Sequence, residues 1–445
     1  MAEAMPFRSL LQQTVCTVRA DSKSRWITGT KGDTARKEHT AMQIIDNIPV
    51  FGEHEANTLE QARLCARTAD RFALMADGHL GYGVPIGGVI ATESRISPTA
   101  VGFDIACGNK AVRLDMPGTE LRANIHRVME EIWSTLSFGV GRKNAERVEH
   151  PLFERDAHPG WATEAAAPIK RKAEAQLGTI GSGNHYVDLF TDEQDRVWVG
   201  VHFGSRGLGH GIATWFLKAA GAKDGMMVDP VFLDVTSDLG AQYIAAMQLG
   251  GAYAYAGRDW VCSRVAKLLG ATIEEEVHNH HNFAWLEEHD GRQLWVCRKG
   301  ATPAFPGQRG FVGGTMGEQS VILEGTAPDL STAEGKATAA AQAASLCSTV
   351  HGAGRVMGRK QAAGVFDRKT GVCKREGLVK PEMMNDWMQR SNVVLKGGGL
   401  DESPHCYKRL PEVLAAHGST IRVLHTLTPV GVAMAGANEF DPYKD

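Results

Sequence analysis

The sequence predicts a mixed α/β fold of the α+β kind, organised as a single unit over residues 1–445. Three observations carry this. Amphipathic helical stretches and β-branched runs interleave without a regular strand–helix–strand rhythm, which disfavours a doubly wound parallel sheet. No internal repeat and no long linker divides the chain. Fifty glycines, many in short runs beside histidines, call for tight turns and close backbone approaches.

Taken in order, residues 1–55 carry the weakest pattern of the unit. Helices are expected near 58–70 (TLEQARLCARTAD), 119–136 and 161–177, each with an apolar stripe and a charged face. A longer helical stretch spans about 230–269, with breaks expected at Gly250, Gly251 and Gly257. An Ala-rich helix near 332–345 follows. The runs RVWVGVHF (196–203), QLWVCRKG (293–300), SVILEG (320–325) and TIRVLHTL (420–427) read as strands. The glycine- and histidine-rich motifs fall at strand ends and loops, where sites are usually assembled.

Composition narrows the function. A net charge of −3 does not advertise a nucleic-acid partner, so phosphate binding needs a local basic patch. The eight cysteines include no CxxC pair, which argues against zinc fingers and dithiol redox chemistry and for free thiols in a reducing compartment. No apolar run is long enough to cross a bilayer, and MAEAMPFRSLLQQTV lacks the apolar core of a signal peptide. A cytoplasmic protein with no membrane partner is expected.

Six stretches carry chemistry. DGHLGYGVPIGG (77–88) and then GFDIACGN (102–109) place Asp104 and Cys107 three apart in a Gly-flanked turn. A carboxylate and a thiolate at that spacing can reach one divalent ion, and a thiolate can bridge two; taken alone, the pair reads more readily as a turn aspartate and a buried thiol. LGTIGSGNHYVDL (177–189) sets Asn184 and His185 after a Gly-Ser-Gly turn, as an anion cradle or as a hydrogen-bonded structural histidine. VHFGSRGLGH (201–210) pairs His202 with Arg206, a metal ligand beside a phosphate-binding fork or a core histidine beside a solvated arginine. In EEEVHNHHNF (274–283), His278 and His280 share one strand face and His281 points the other way. WVCRKGATPAFPGQRGFVGGTMGE (295–318) brackets Gly/Pro turns with Arg298, Lys299 and Arg309, a phosphate loop or a solvated one. STVHGAGRVMGRK (348–360) sets His351 against a Gly-Ala-Gly turn, with Arg355, Arg359 and Lys360 following.

Together these supply one Cys, one Asp and several glycine-flanked histidines beside basic residues. That set suits borderline divalent metals such as Mn²⁺ or Zn²⁺ acting on phosphate esters. Neither a P-loop GxxxxGK[ST] nor a strand-borne GxGxxG occurs, so any nucleotide is held another way.

From about Asp77 to Gly436 the motifs DGHLGYGVPIGG, GFDIACG, GTIGSGNH, HFGSRGLGH, HHN, RKGAT, GGTMG, HGAGRVMGRK and DESPHCYK follow one another in the order of a known family. The chain resembles the RtcB RNA-splicing ligases. The resemblance implies a single RtcB-like catalytic unit of central mixed and antiparallel sheets surrounded by helices. It also implies an enzyme that joins RNA 3′-phosphate or 2′,3′-cyclic phosphate ends to 5′-hydroxyl ends, with GTP and two Mn²⁺ ions, in RNA repair or tRNA splicing. Asp104, Cys107, His185, His202 and His281 match the family's metal ligands, with Cys107 bridging. His351 matches the histidine that becomes guanylylated. Asn184, Asp188, Thr315, Gly352, Gly354 and Tyr407 match the surroundings of the nucleotide. Arg206, Lys299, Arg355 and Arg359 match positions that hold RNA or nucleotide phosphates.

Three departures from the family pattern stand out. Asp188 replaces a glutamate, Ala106 a glycine, and Ala435 the lysine that closes the guanine pocket. A tail at 437–445 follows Ala435 and Gly436, and Lys444 or another tail group within it is expected to substitute for that lysine; otherwise GTP specificity is relaxed. Three other readings remain: a paralogue that guanylylates 3′-ends without joining them, a metal-dependent phosphoesterase acting on cyclic phosphates without GTP, and a non-catalytic RNA-binding remnant, against which the retained metal positions and His351 speak.

Overall fold

The computed structural model describes residues 42–367, 370, 372–436 and 439. Expectations for residues 1–41 and for Lys444 lie outside the described residues. The chain divides into units Met1–Glu38 and His39–Asp445, and everything below concerns the second.

The mixed α/β expectation holds. Two sheets dominate. The larger has eight strands, seven of them in the spatial order Ile273–His280, Gly108–Pro117, Arg196–Phe203, Tyr186–Thr191, Ile421–Gly436, Ser320–Gly325 and Arg309–Val312; Val394–Gly398 pairs off the long strand Ile421–Gly436. All its pairings are antiparallel except that last one. The second sheet runs Gln43–Ile45, Ile48–Val50, Arg71–His79, Ile86–Thr92, Arg292–Lys299, Asn282–His289.

Side chains alternate across a strand, so each strand of the large sheet sorts its residues to two faces. Val199 and Val201 face helices Gly118–Thr135 and Asp238–Leu269, packing with Ile125, Met129, Val261 and Val265. Trp198, Phe190, Ala111 and Val277 face the other way, against Phe311 and Ile322. This second face carries the site at one end.

The helix expected at 161–177 is mostly absent. Pro159–Ala162 and Ala167–Ile169 form short 3-10 turns, and only Lys170–Gln176 is α-helical. Pro168 supplies no N–H, so an α-helical hydrogen-bond ladder cannot run through it, which is the physical reason. The long helix departs from expectation in the opposite sense. It starts at Asp238 and runs unbroken to Leu269. Its glycines serve packing: a Cβ on Gly251 would lie 2.9 Å from the Phe283 ring, and one on Gly250 3.0 Å from Ile105.

Arg298, a candidate phosphate ligand by sequence, is 0% exposed. It grips Glu287 with both ends of its fork, at 2.6 and 3.0 Å, and donates to Ser348 Oγ and the Leu346 carbonyl. Removing one partner of a buried, bidentate pair strands the other charge. Arg298→Met is therefore expected to destabilise the fold by about 3–5 kcal/mol, read as a lower unfolding midpoint in urea. Burial raises the Glu287 carboxyl, but Arg298 and the His289 hydrogen bond outweigh it and hold it below its usual range. The pair thus contributes fully above the unfolded carboxylate value of about 4.3, and that contribution is lost as pH falls through the lower, folded value.

Candidate active site

Antiparallel neighbours bring the end of one strand beside the start of the next. Three adjacent strands use this rule to converge side chains. Asn279, Asn109 and His202 lie in register across Ile273–His280, Gly108–Pro117 and Arg196–Phe203. Two residues beyond, His281 donates its backbone N–H to the Cys107 carbonyl at 2.8 Å. Cys107, His202 and His281 therefore all continue the face that carries Ala111, Trp198 and Val277. The fourth strand, Tyr186–Thr191, adds His185 from the residue before its start.

The donor atoms meet closely. Cys107 Sγ lies 3.2 Å from His202 Nε2 and 3.6 Å from His185 Nε2. His202 Nε2 is 3.3 Å from His281 Nε2, and His185 Nε2 is 3.0 Å from Asp104 Oδ2. Two triads result, Cys107–His202–His281 and Asp104–Cys107–His185, each with its donor atoms within 4.8 Å of one another. Cys107 belongs to both. Asp104 reaches this point because Gly204 opposite it has no side chain: a Cβ there would sit 2.2 Å from Asp104 Oδ1.

The chemistry of this donor set fits divalent cations. His185 Nδ1 donates to the Ile180 carbonyl and His202 Nδ1 to that of Asn184, at 3.1 and 3.0 Å, which turns each Nε2 lone pair inward. Burial drives His202 and His281 well below the usual imidazole range, so both are neutral and able to bind a metal. Burial raises the Asp104 carboxyl, yet its contact with the His185 ring outweighs burial and holds it at about 2. Burial and then Asp104 push the Cys107 thiol well up, a penalty that a bound cation reverses. Each triad can hold one metal, with the thiolate shared.

Ala106 adopts φ 60, in the left-handed region, where glycine is the natural occupant. Its N–H donates to the Asn282 carbonyl at 2.7 Å and its strained turn aims Cys107 into the site.

His351 approaches from a separate two-stranded sheet, in which Ala301–Pro303 pairs antiparallel with Ser348–Val350. It follows strand Ser348–Val350, and its ring lies 4.8 Å from that of His281, centroid to centroid. Asp77, fully buried near the end of strand Arg71–His79, accepts from His351 Nδ1 at 2.5 Å and from its backbone N–H at 3.0 Å. Burial raises Asp77, but the charge and hydrogen bonds of His351 outweigh it, so the carboxylate stays ionised. With Nδ1 committed, Nε2 carries the ring's lone pair, and the arrangement can serve nucleophilic catalysis. Gly354 makes the contact possible: its φ is +78, and a Cβ would lie 2.1 Å from the Asp77 carbonyl. Asn109 ties the two halves together, donating to the Phe311 and His351 carbonyls at 2.9 and 3.2 Å.

Of the nucleotide candidates, Gly352 pairs with Gly313 beside His351, and Thr315 lies buried on the same loop, bonded to Glu318 at 3.3 Å. Asn184 contributes its carbonyl to His202. Asp188 is buried on the site-bearing face, and desolvation pushes its carboxyl well up. Tyr407 lies under Arg355, which donates to its hydroxyl at 2.9 Å and to the Asp401 carbonyl at 2.8 Å. Arg359 pairs with Asp401 and Glu402. A small surface cleft lies here, lined by Ser182, Gly183, Asp401, Glu402, Ala435 and Glu439 among others.

Two basic candidates stand apart from this group. Arg206, at φ 56, donates to Thr179 and to the Gly139 carbonyl. Lys299 is buried with Nζ on the Tyr82 and Thr99 carbonyls at 2.6 and 3.3 Å, and burial lowers it to about 8. Asp77 and Asn109 are the functional positions that residue-by-residue reading passed over. Both stood inside quoted motifs, and their partners were 274 and 242 residues away.

Two triads that share one cysteine and could each hold a metal, faced by a carboxylate-oriented histidine, have the geometry of a candidate metal-dependent enzyme. The chain matches the family model for tRNA-splicing ligase RtcB over residues 59–435. It is 30% identical to the RNA-splicing ligase RtcB of Escherichia coli K12, covering 80% of this chain and 88% of that one. It is 31% identical to the tRNA-splicing ligases RtcB of Thermococcus kodakarensis (84% and 90% covered) and Archaeoglobus fulgidus (81% and 86%). The chain belongs to the RtcB family. Among the described residues no helix is long and apolar enough to cross a membrane.

Proposed function

We propose that this protein is a GTP- and Mn²⁺-dependent RNA ligase that joins 3′-phosphate or 2′,3′-cyclic phosphate ends to 5′-hydroxyl ends. The observation that carries the reading is His351, held by Asp77 with Nε2 free and its ring beside that of the metal-triad histidine His281.

Asp104, Cys107, His185, His202 and His281 would hold two Mn²⁺ ions, which supply charge neutralisation for the phosphates when bound. His351 Nε2 attacks the α-phosphorus of GTP; the bond to pyrophosphate breaks and pyrophosphate leaves. A 3′-phosphate oxygen of the RNA then attacks the guanylylated histidine, the P–N bond breaks, and an RNA(3′)pp(5′)G end forms. A cyclic end is first opened by water to the 3′-phosphate. The 5′-hydroxyl oxygen finally attacks the 3′-phosphate, GMP leaves, and a phosphodiester remains.

Asp77 fixes the tautomer of His351 and stabilises the cation formed as it attacks, the role a buried carboxylate takes beside a catalytic imidazole. Asp77→Asn is expected to slow guanylylation by about 10²–10⁴-fold with metal binding retained, read as the rate of GMP-adduct formation. The base would sit with its edge toward the carboxylates Asp401, Glu402 and Glu439 that line this small cleft. Guanine offers N1–H and a 2-amino group as donors, and carboxylates accept both. Among the described residues the tail contributes Glu439 to this cleft, anchored by Arg142 at 2.5 Å and lining it with Ala435.

The test is a joining assay with an RNA pair bearing 3′-phosphate and 5′-hydroxyl ends. Product requiring both GTP and Mn²⁺ supports the reading. Accumulation of the G-capped 3′-end without joining supports the capping paralogue, and cyclic-phosphate hydrolysis independent of GTP supports the phosphoesterase.

A further inference from the structure

His278 and His280 lie beside the metal-binding His281 in sequence, yet strand alternation turns them to the opposite face of the sheet. There they meet Arg258, from the middle of helix Asp238–Leu269. Arg258 is 0% exposed. Its Nε donates to His278 Nε2 at 2.8 Å and its Nη2 to His280 Nδ1 at 2.9 Å. Its Nη1 donates to the Ala106 and Phe203 carbonyls, at 3.0 and 2.5 Å. A guanidinium has only donors, so both imidazoles accept and are neutral. Asp259, the carboxylate next in sequence, is engaged elsewhere, with Lys110 Nζ at 2.5 Å and His278 Nδ1 at 3.4 Å.

A fully buried cation bonded only to neutral acceptors is a costly element for a fold to keep, and its placement says what it does. Ala106 precedes Cys107, Phe203 follows His202, and His280 precedes His281. One planar fork thus reaches the three strand ends that present the first metal triad. The fit is close: a Cβ on Gly108 would come 3.1 Å from Nη1 and 2.2 Å from the Asn279 carbonyl. Tyr255, one helical turn before Arg258, stacks on His280 with ring centroids 4.0 Å apart and closes the assembly.

We propose that Arg258 is a positioning residue of the metal centre: its guanidinium locks the backbone beside Cys107 and His202 and the ring beside His281, so that the three donors keep metal-binding spacing. His278 and His280 are the acceptors that orient it. This rests on the metal-binding reading of the two triads.

The test is Co²⁺ titration of the full chain, followed by the visible d–d bands and the thiolate-to-cobalt charge-transfer band, with unfolding midpoints measured alongside. Arg258→Met is expected to bind Co²⁺ about 10–100-fold more weakly and to lose or shift the thiolate band, while Arg258→Lys recovers part of both. His280→Phe keeps the stacking on Tyr255 and removes one acceptor, and is expected to weaken binding in the same direction by a smaller factor. A folded Arg258→Met protein with wild-type affinity and spectrum overturns the proposal. Should that variant not fold, His280→Phe decides: weaker Co²⁺ binding supports the clamp and unchanged binding overturns it. A wild-type chain that binds no Co²⁺ defeats the metal reading itself, and the clamp with it.

Discussion

His351→Ala is expected to reduce RNA joining by about 10³-fold or more while leaving divalent-metal affinity within about threefold of wild type. The split follows from geometry. His351 contacts Asp77 through Nδ1 and belongs to neither metal triad, so its loss removes the nucleophile without removing a donor. Joining is followed by gel with end-labelled RNA and metal binding by equilibrium titration. An equal loss in both would make His351 a metal ligand. A sharper form supplies RNA already carrying the G-capped 3′-end. Because the activated phosphate no longer needs the histidine, the variant should complete the last step at a rate near wild type.

Cys107→Ser carries the second large effect. Cys107 is the single residue shared by the two triads, so its replacement weakens both metal positions. A serine hydroxyl does not ionise near neutral pH and is a harder, poorer ligand for borderline divalent ions than a thiolate. We expect an affinity loss of about 10²-fold or more at one position at least, and joining reduced to background. Asp104→Asn provides the contrast, since Asp104 belongs to one triad only. Metal content after gel filtration should fall toward zero equivalents in Cys107→Ser and toward one in Asp104→Asn. Equal occupancy in the two variants would contradict a shared thiolate.

Sequence reading found the parts of the site that short motifs advertise and missed those that depend on distant pairing. Cys107, His202 and His281 stood out through the family resemblance of their motifs, since each motif alone also read as a structural histidine or a buried thiol, and the register of three antiparallel strands brings them together. The residues that orient them were not. Asp77 carries no local sign of its partner, because Arg71–His79 meets Ser348–Val350 only in the fold, and Arg258 is one arginine in a helix of ordinary composition. The same holds for the elements. Strand Arg196–Phe203 matched its hydrophobic run to the residue, since β-branched alternation is a local signal. The 161–177 helix failed because its apolar stripe was weighed above Pro168, and the predicted breaks in the long helix failed because glycine there serves Phe283 and Ile105. Arg298 shows the limit most plainly: beside Lys299 and a Gly/Pro turn it reads as a phosphate ligand, and only packing reveals its pairing with Glu287.

The most direct measurement incubates the protein with Mn²⁺ and α-labelled GTP, without RNA, and looks for label on the chain. We predict an adduct that is acid-labile and alkali-stable, as expected of a phosphoramidate, mapped by mass spectrometry to His351 and absent from His351→Ala. A wild-type chain that takes up no label, or carries it on another residue, would contradict the account.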